Sequence, residues 1–165
     1  MVDVNQLIKY VIIPTLKHLD PDIPYSDTAV DLLVMTCAHE SLGGKYLHQI
    51  NGPARGIYQM EPNTEDDIDH NFLNFRPKLE NKVDSTRGGF LDGEMMYNLA
   101  YATAMARVQY WRVPERLPDP LNAGYIDALG EYAKKYYNTH KGKATAKAYV
   151  RDYLAYIAFN NNENF

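Results

Sequence analysis

The chain has very little thiol: Cys37 is its single cysteine, so no disulfide can close within it. It also lacks a long apolar run. No stretch approaches the roughly 18 apolar residues that a membrane span needs. The run YVIIP (10–14) lacks a basic start and a small-residue cleavage site, so we expect no signal peptide. Positive charge is in short supply, with 17 Lys and Arg against 21 Asp and Glu, a net charge of −4 and a pI near 5.7. That balance argues against nucleic acid, which selects a basic stripe, and gives no long-range attraction to anionic polymers. The five histidines show no His-x3-His spacing of a helical zinc site, and we expect no metal or cofactor. No phosphate-binding glycine loop, Ser-His-Asp pattern, repeat or low-complexity tract occurs.

What is present suits one globular domain over 1–165: 45% apolar and 23% charged residues, enough to bury a sizeable core. Fourteen tyrosines fit either a sugar-gripping surface or a core with a polar rim. The pattern predicts a mainly α fold. Val4, Leu7, Ile8, Val11 and Ile12 share a helical face, and Pro14 should kink or end that helix. Ser26 or Asp27 caps a second helix carrying Ala29, Leu32, Leu33, Thr36, Cys37 and Glu40 on one face. Gly43 or Gly44 ends it in a left-handed conformation. Residues 42–55 read as a loop or small irregular hairpin. Asn63 is expected to cap the next helix. Further helices are expected over 92–111, up to 137, and over 144–159, with a break at 140–142 and a frayed tail. KKYYNTHKGK (134–143) reads as a solvated helix end. Cys37, in an apolar helical run, reads as a buried structural thiol.

The chemically suggestive stretch is AHESLGGKYLHQINGPARGIYQMEP, residues 38–62. Glu40 falls near the C-terminal end of a helix, where the dipole and apolar neighbours both disfavour its ionised form. A glutamate kept protonated near neutral pH is what general acid catalysis requires. A surface glutamate at a helix end is the plainer alternative. His39 should point about 100° away from Glu40 and play a plain polar role.

Glu40-Ser41, a loop, and then Gly56-Ile57-Tyr58-Gln59-Met60-Glu61-Pro62 resembles the signature of lytic transglycosylases and goose-type lysozymes. That signature is Glu-Ser, a variable loop, and Gly-Leu-Met-Gln followed by Met-Pro or an acidic residue. The resemblance covers 38–62; beyond it, the chain agrees in being helical, with Asn98 matching an Asn-bearing helix. It implies a lysozyme-like, two-lobed helical fold, and peptidoglycan glycan strands as the partner of a monomer. Glu40 would protonate the oxygen between N-acetylmuramic acid and N-acetylglucosamine. Ser41 would hold the Glu40 carboxyl or a substrate N-acetyl group, and Gln59 would line the cleft. Tyr58, standing where the family has Met, would be packing or a sugar platform. His48, in the loop over the cleft, would touch sugar.

Glu61 separates two mechanisms. A transglycosylase needs one carboxylate and leaves a 1,6-anhydro end, whereas a hydrolase usually needs a second, for which Glu61 is the candidate. Asp66, Asp67 and Asp69 read as helix-start charges. The family's Ala-Tyr-Asn-Ala-Gly has a counterpart in Leu121-Asn122-Ala123-Gly124, but Leu121 replaces the tyrosine. Tyr132, Tyr136 or Tyr137 would then supply a cleft tyrosine. The resemblance further implies a phage lysis enzyme or virion-borne enzyme, made in the cytoplasm and acting on the wall. The alternatives are a non-catalytic virion or wall-binding module of lysozyme-like shape, and a chitin-active enzyme.

Overall fold

The computed structural model describes residues 1–89, 91–137 and 144–161. The expected break at 140–142, the basic end of KKYYNTHKGK and the tail from 162 onward lie outside the described residues. The fold is mainly α.

Helix α1 runs through three consecutive segments, Val4–Leu7, a π-helical turn at Ile8–Ile12, and Ile13–Leu19. Asp3 caps it, its carboxylate accepting the Gln6 N–H at 2.8 Å. Pro14 neither ends nor breaks the helix. A proline inside a helix has no N–H to give and crowds the carbonyl four residues back. Here the Ile13 N–H reaches five residues back, to the Ile8 carbonyl, and the widened turn accommodates the ring.

Helix α2, Asp27–Ser41, is capped by Ser26, whose hydroxyl accepts the Ala29 N–H at 3.1 Å. The sequence suggested one apolar face; the structure buries almost every side. Leu32, Leu33, Val34, Met35, Thr36, Cys37 and Ala38 are all inside. A helix covered on all sides is the centre of its domain. Burial pushes the Cys37 thiol up to about 12, which leaves it inert, as expected of a structural thiol. The helix ends at Leu42, which itself takes the left-handed conformation (φ 51°), and Gly43 and Gly44 continue it.

Helix α3, Pro62–Asn71, starts two residues earlier than an Asn63 cap would dictate: Pro62 is its first residue and Glu61 precedes it. A 3-10 turn (Leu73–Phe75) leads to α4, Pro77–Asp84. Helix α5, Leu99–Trp111, begins well after residue 92. Gly93 adopts a left-handed conformation, a 3-10 turn follows at Glu94–Met96, and the Asn98 side chain then caps α5 by accepting the Tyr101 N–H at 3.0 Å. The same side chain donates to the Thr86 carbonyl and to Glu94. Helices α6, Tyr125–Tyr136, and α7, Ala146–Asn161, complete the fold. Helix α7 packs on α2 and α6, and α5 lies against α2.

Among the described residues there is no strand, only isolated bridges pairing His48 with Arg55 and Arg55 with Met60. These hold the irregular loop after α2. Half of the fourteen tyrosines belong to the core: Tyr58, Tyr101, Tyr110, Tyr132, Tyr149, Tyr153 and Tyr156 are buried. Their hydroxyls find partners inside the core, as Tyr58 and Tyr110 do in Thr103 and Thr36, or at its rim. Tyr156, for example, donates to the Val2 carbonyl at 2.7 Å, while the Val2 N–H bonds the Gly43 carbonyl at 2.8 Å.

Candidate active site around Glu40

Glu40 is the penultimate residue of α2 and is partly buried. On α7, Tyr149, Tyr153 and Tyr156 recur at helical spacing, and that stripe is buried. It brings the Tyr149 hydroxyl onto Glu40, where it donates a hydrogen bond to Oε1. Burial raises the Glu40 pKa. The Tyr149 hydrogen bond and the electrostatic influence of His39 and Lys134 oppose that, but burial dominates. Burial and the Glu40 charge push the Tyr149 and Tyr137 phenols upward, so both remain protonated donors.

His39 does more than its predicted direction suggested. Its Nδ1 lies 2.7 Å from Asp152 Oδ2, and its ring sits 3.9 Å, centroid to centroid, from that of Tyr149. The Asp152–His39 pair therefore braces the phenol that touches Glu40. One helical turn earlier, Thr36 shares a 2.8 Å hydrogen bond with Tyr110, whose ring packs 5.3 Å from Tyr137. The result is a partly buried carboxyl, held at one oxygen by a neutral donor, that can keep a proton and release it.

The turn at 56–60 is tied to this helix through Ser41, though not as expected. Ser41 is fully buried. Its hydroxyl is 2.6 Å from the Ile57 carbonyl and 3.1 Å from the Cys37 carbonyl, and it accepts the Gly44 N–H at 2.8 Å. It therefore holds neither the Glu40 carboxyl nor a ligand; the backbone uses its full capacity. Ser41→Ala would strand the Ile57 carbonyl and the Gly44 N–H, so it should cost about 1–3 kcal/mol. Thermal unfolding matching wild type would refute that role.

For Tyr58 the structure selects packing over the sugar platform. It is 1% exposed, and its hydroxyl pairs with Thr103 at 3.1 Å, so its ring cannot serve as a sugar platform. Its carbonyl accepts the Tyr137 hydroxyl at 2.8 Å, which joins the turn to the end of α6. Gln59 is partly buried with a positive φ of 47°, and its amide donates to the Gly56 carbonyl at 2.8 Å and to the Tyr46 carbonyl at 3.4 Å. Its nitrogen thus holds its own turn. His48 is exposed, with Nδ1 at 3.0 Å from the Gln49 carbonyl. Glu61 is exposed ahead of α3 and its carboxylate does not cap that helix. Among the described residues no hydrogen bond links it to Glu40.

Sequence reasoning missed Tyr149 and Asp152. The Tyr149, Tyr153, Tyr156 stripe was visible, but spacing alone cannot show which helix it faces. The candidates Tyr132 and Tyr136 do not touch Glu40: Tyr132 donates to the Glu115 carbonyl and Tyr136 to the Glu115 carboxylate. Among the described residues no group of three His, Cys, Asp or Glu side chains could hold a metal ion. Compared with protein-family models, curated proteins and solved structures, the chain matches none.

Proposed function

We propose that the chain is a single-domain, lysozyme-like enzyme that cleaves the β-1,4 bond between N-acetylmuramic acid and N-acetylglucosamine in peptidoglycan. The observation that carries the reading is the Glu40 carboxyl, raised by burial and gripped by Tyr149 at the end of α2. It stands at the residue where the Glu-Ser and Gly-x-x-Gln resemblance puts a general acid. Glu40 gives its proton to the bridging oxygen as the bond to the muramic carbon breaks. The carboxylate left behind is stabilised by the Tyr149 O–H and by the charge of Lys134. It then takes a proton from the attacking hydroxyl. Glu61 is exposed and unlinked to this group, which favours the route needing one carboxylate, with the muramic 6-hydroxyl attacking to leave an anhydro end. The role that follows is wall opening in phage lysis or from a virion, by a monomer.

A second reading has its own observation. The Glu40–Tyr149 bond also ties α2 to α7, as a strut would in a non-catalytic virion or wall-binding module. Mass spectrometry of the fragments released from purified peptidoglycan by wild type and by Glu40→Gln separates the two. Anhydro-muramic ends, lost in the variant, are expected. Reducing muramic ends, lost in the variant, would return Glu61 to the mechanism. Folded wild type that binds wall and releases nothing would establish the strut.

A further inference from the structure

Arg107 lies in the middle of α5 and is 4% exposed. Among the described residues its Nε has no hydrogen-bond partner. Burial pushes its pKa down to about 10, and the only opposing influence is Tyr132, not a carboxylate. The guanidinium remains charged at neutral pH. A buried cation without a counter-charge costs several kcal/mol, so such groups normally face an anion. The nearby acid, Glu115, is engaged elsewhere, by Lys135 at 3.1 Å and by the Tyr136 hydroxyl.

Arg107 lines a cavity of about 470 Å³ formed by Pro24–Ser26, the end of α5, the 113–117 linker and α6. Tyr25, Tyr110, Trp111 and Tyr132 contribute aromatic walls, and the Trp111 ring lies 5.5 Å from the guanidinium carbon. That volume falls within the roughly 300–1,000 Å³ of small-molecule sites, which are mostly apolar with a few polar anchors.

We propose that this cavity binds a small carboxylate with a flat apolar body, its carboxylate received by Arg107. The planar guanidinium fork matches a carboxylate in two hydrogen bonds. The charge balance selects a monoanion: one buried cation neutralises one carboxylate, whereas a phosphate dianion would leave a negative charge inside. The aromatic walls take the ligand's body. This function goes beyond glycan cleavage and does not depend on it.

Trp111 is the chain's single tryptophan and lines this cavity, but it also borders a second one with Arg76 and Leu79, so it is the Arg107→Met variant that assigns a fluorescence change to the first. The probes are 3-phenylpropionate, its neutral amide 3-phenylpropionamide, and inorganic phosphate, each titrated into the intact protein. A saturable change with the acid is expected, with the amide binding at least about tenfold more weakly. Phosphate should give no saturable change. Arg107→Met should weaken acid binding about ten- to a hundredfold and melt no lower than wild type, since it removes an unpaired buried charge. Equal binding of acid and amide by wild type would overturn the proposal without recourse to a variant. So would the absence of saturation with the acid, a response to phosphate in its place, or acid binding undiminished in folded Arg107→Met.

Discussion

Gly56→Ala is expected to destabilise the protein by about 2–5 kcal/mol, adding the left-handed backbone cost to that of overpacking. Gly56 has φ +75°, and a Cβ built on it would stand 2.1 Å from the Met95 carbonyl oxygen. That oxygen belongs to the backbone of the 3-10 turn ahead of α5, so no flexible side chain can swing aside. Either the 56–60 turn or the Glu94–Met96 turn must shift. Both lead into functional ground: the first carries Gln59 and the Ile57 carbonyl that Ser41 grips, the second positions the cap of α5. A domain of ordinary stability holds about 5–15 kcal/mol, so the change consumes a large share of it. Calorimetry should show a fall in melting temperature on the order of 10 °C. A variant melting with wild type would mean that the two turns are not in contact.

Glu40→Gln is expected to lower the rate of glycan release by about 10²–10⁴-fold, the usual contribution of a general acid. The same substitution should alter stability in a pH-dependent way. Burial holds the folded pKa of Glu40 above its ordinary 4.5. Between those two values the folded chain keeps a proton that the unfolded chain has released, so wild-type stability falls as pH rises. The contribution is fully present below pH 4.5 and lost above the folded pKa. Glutamine cannot ionise and carries no such slope. Melting curves over a pH series should therefore show the variant gaining on wild type as pH rises from the acid side. Parallel curves would mean that Glu40 titrates as an exposed glutamate does, and the general acid assignment would fall with them. A residue that costs stability in its ionised form fits a group retained for chemistry.

The parts of the fold set by local chemistry were legible in the sequence. Ser26 caps α2 because a hydroxyl before an apolar helical run has an N–H to accept. Cys37 is buried because its neighbours are apolar. The parts set by distant partners were not. Pro14 carries the same signal whether its helix breaks or widens, and the packing of α1 settles which. Helix α5 starts at Leu99 rather than near 92 because Gly93 turns left-handed and its cap, Asn98, finds Thr86 and Glu94 across the loop. Around Glu40, helix position left a surface glutamate as the plainer alternative, and it is burial that raises its pKa. Its contact, Tyr149, lies over a hundred residues away and carries no local mark. Ser41 departed from its expected role for a related reason: a hydroxyl in a motif looks available until the backbone groups that claim it are known.

The staple of Val2 between Gly43 and Tyr156 bears on the order of events during synthesis. The exit of α2, where Glu40 stands, is fastened by Val2, made before α2, and by α7, made long after it. A ribosome-bound chain ending before 144 would possess α2 and its cap, yet lack Tyr149 and Tyr156. Glu40 would then have no phenol to grip, and Val2 nothing to close over its carbonyl. Closing these contacts bridges sequence separations of 109 and 154 residues, which makes them late and entropically costly. The carboxyl thus acquires its hydrogen-bond partner only after translation has carried α7 clear of the ribosome.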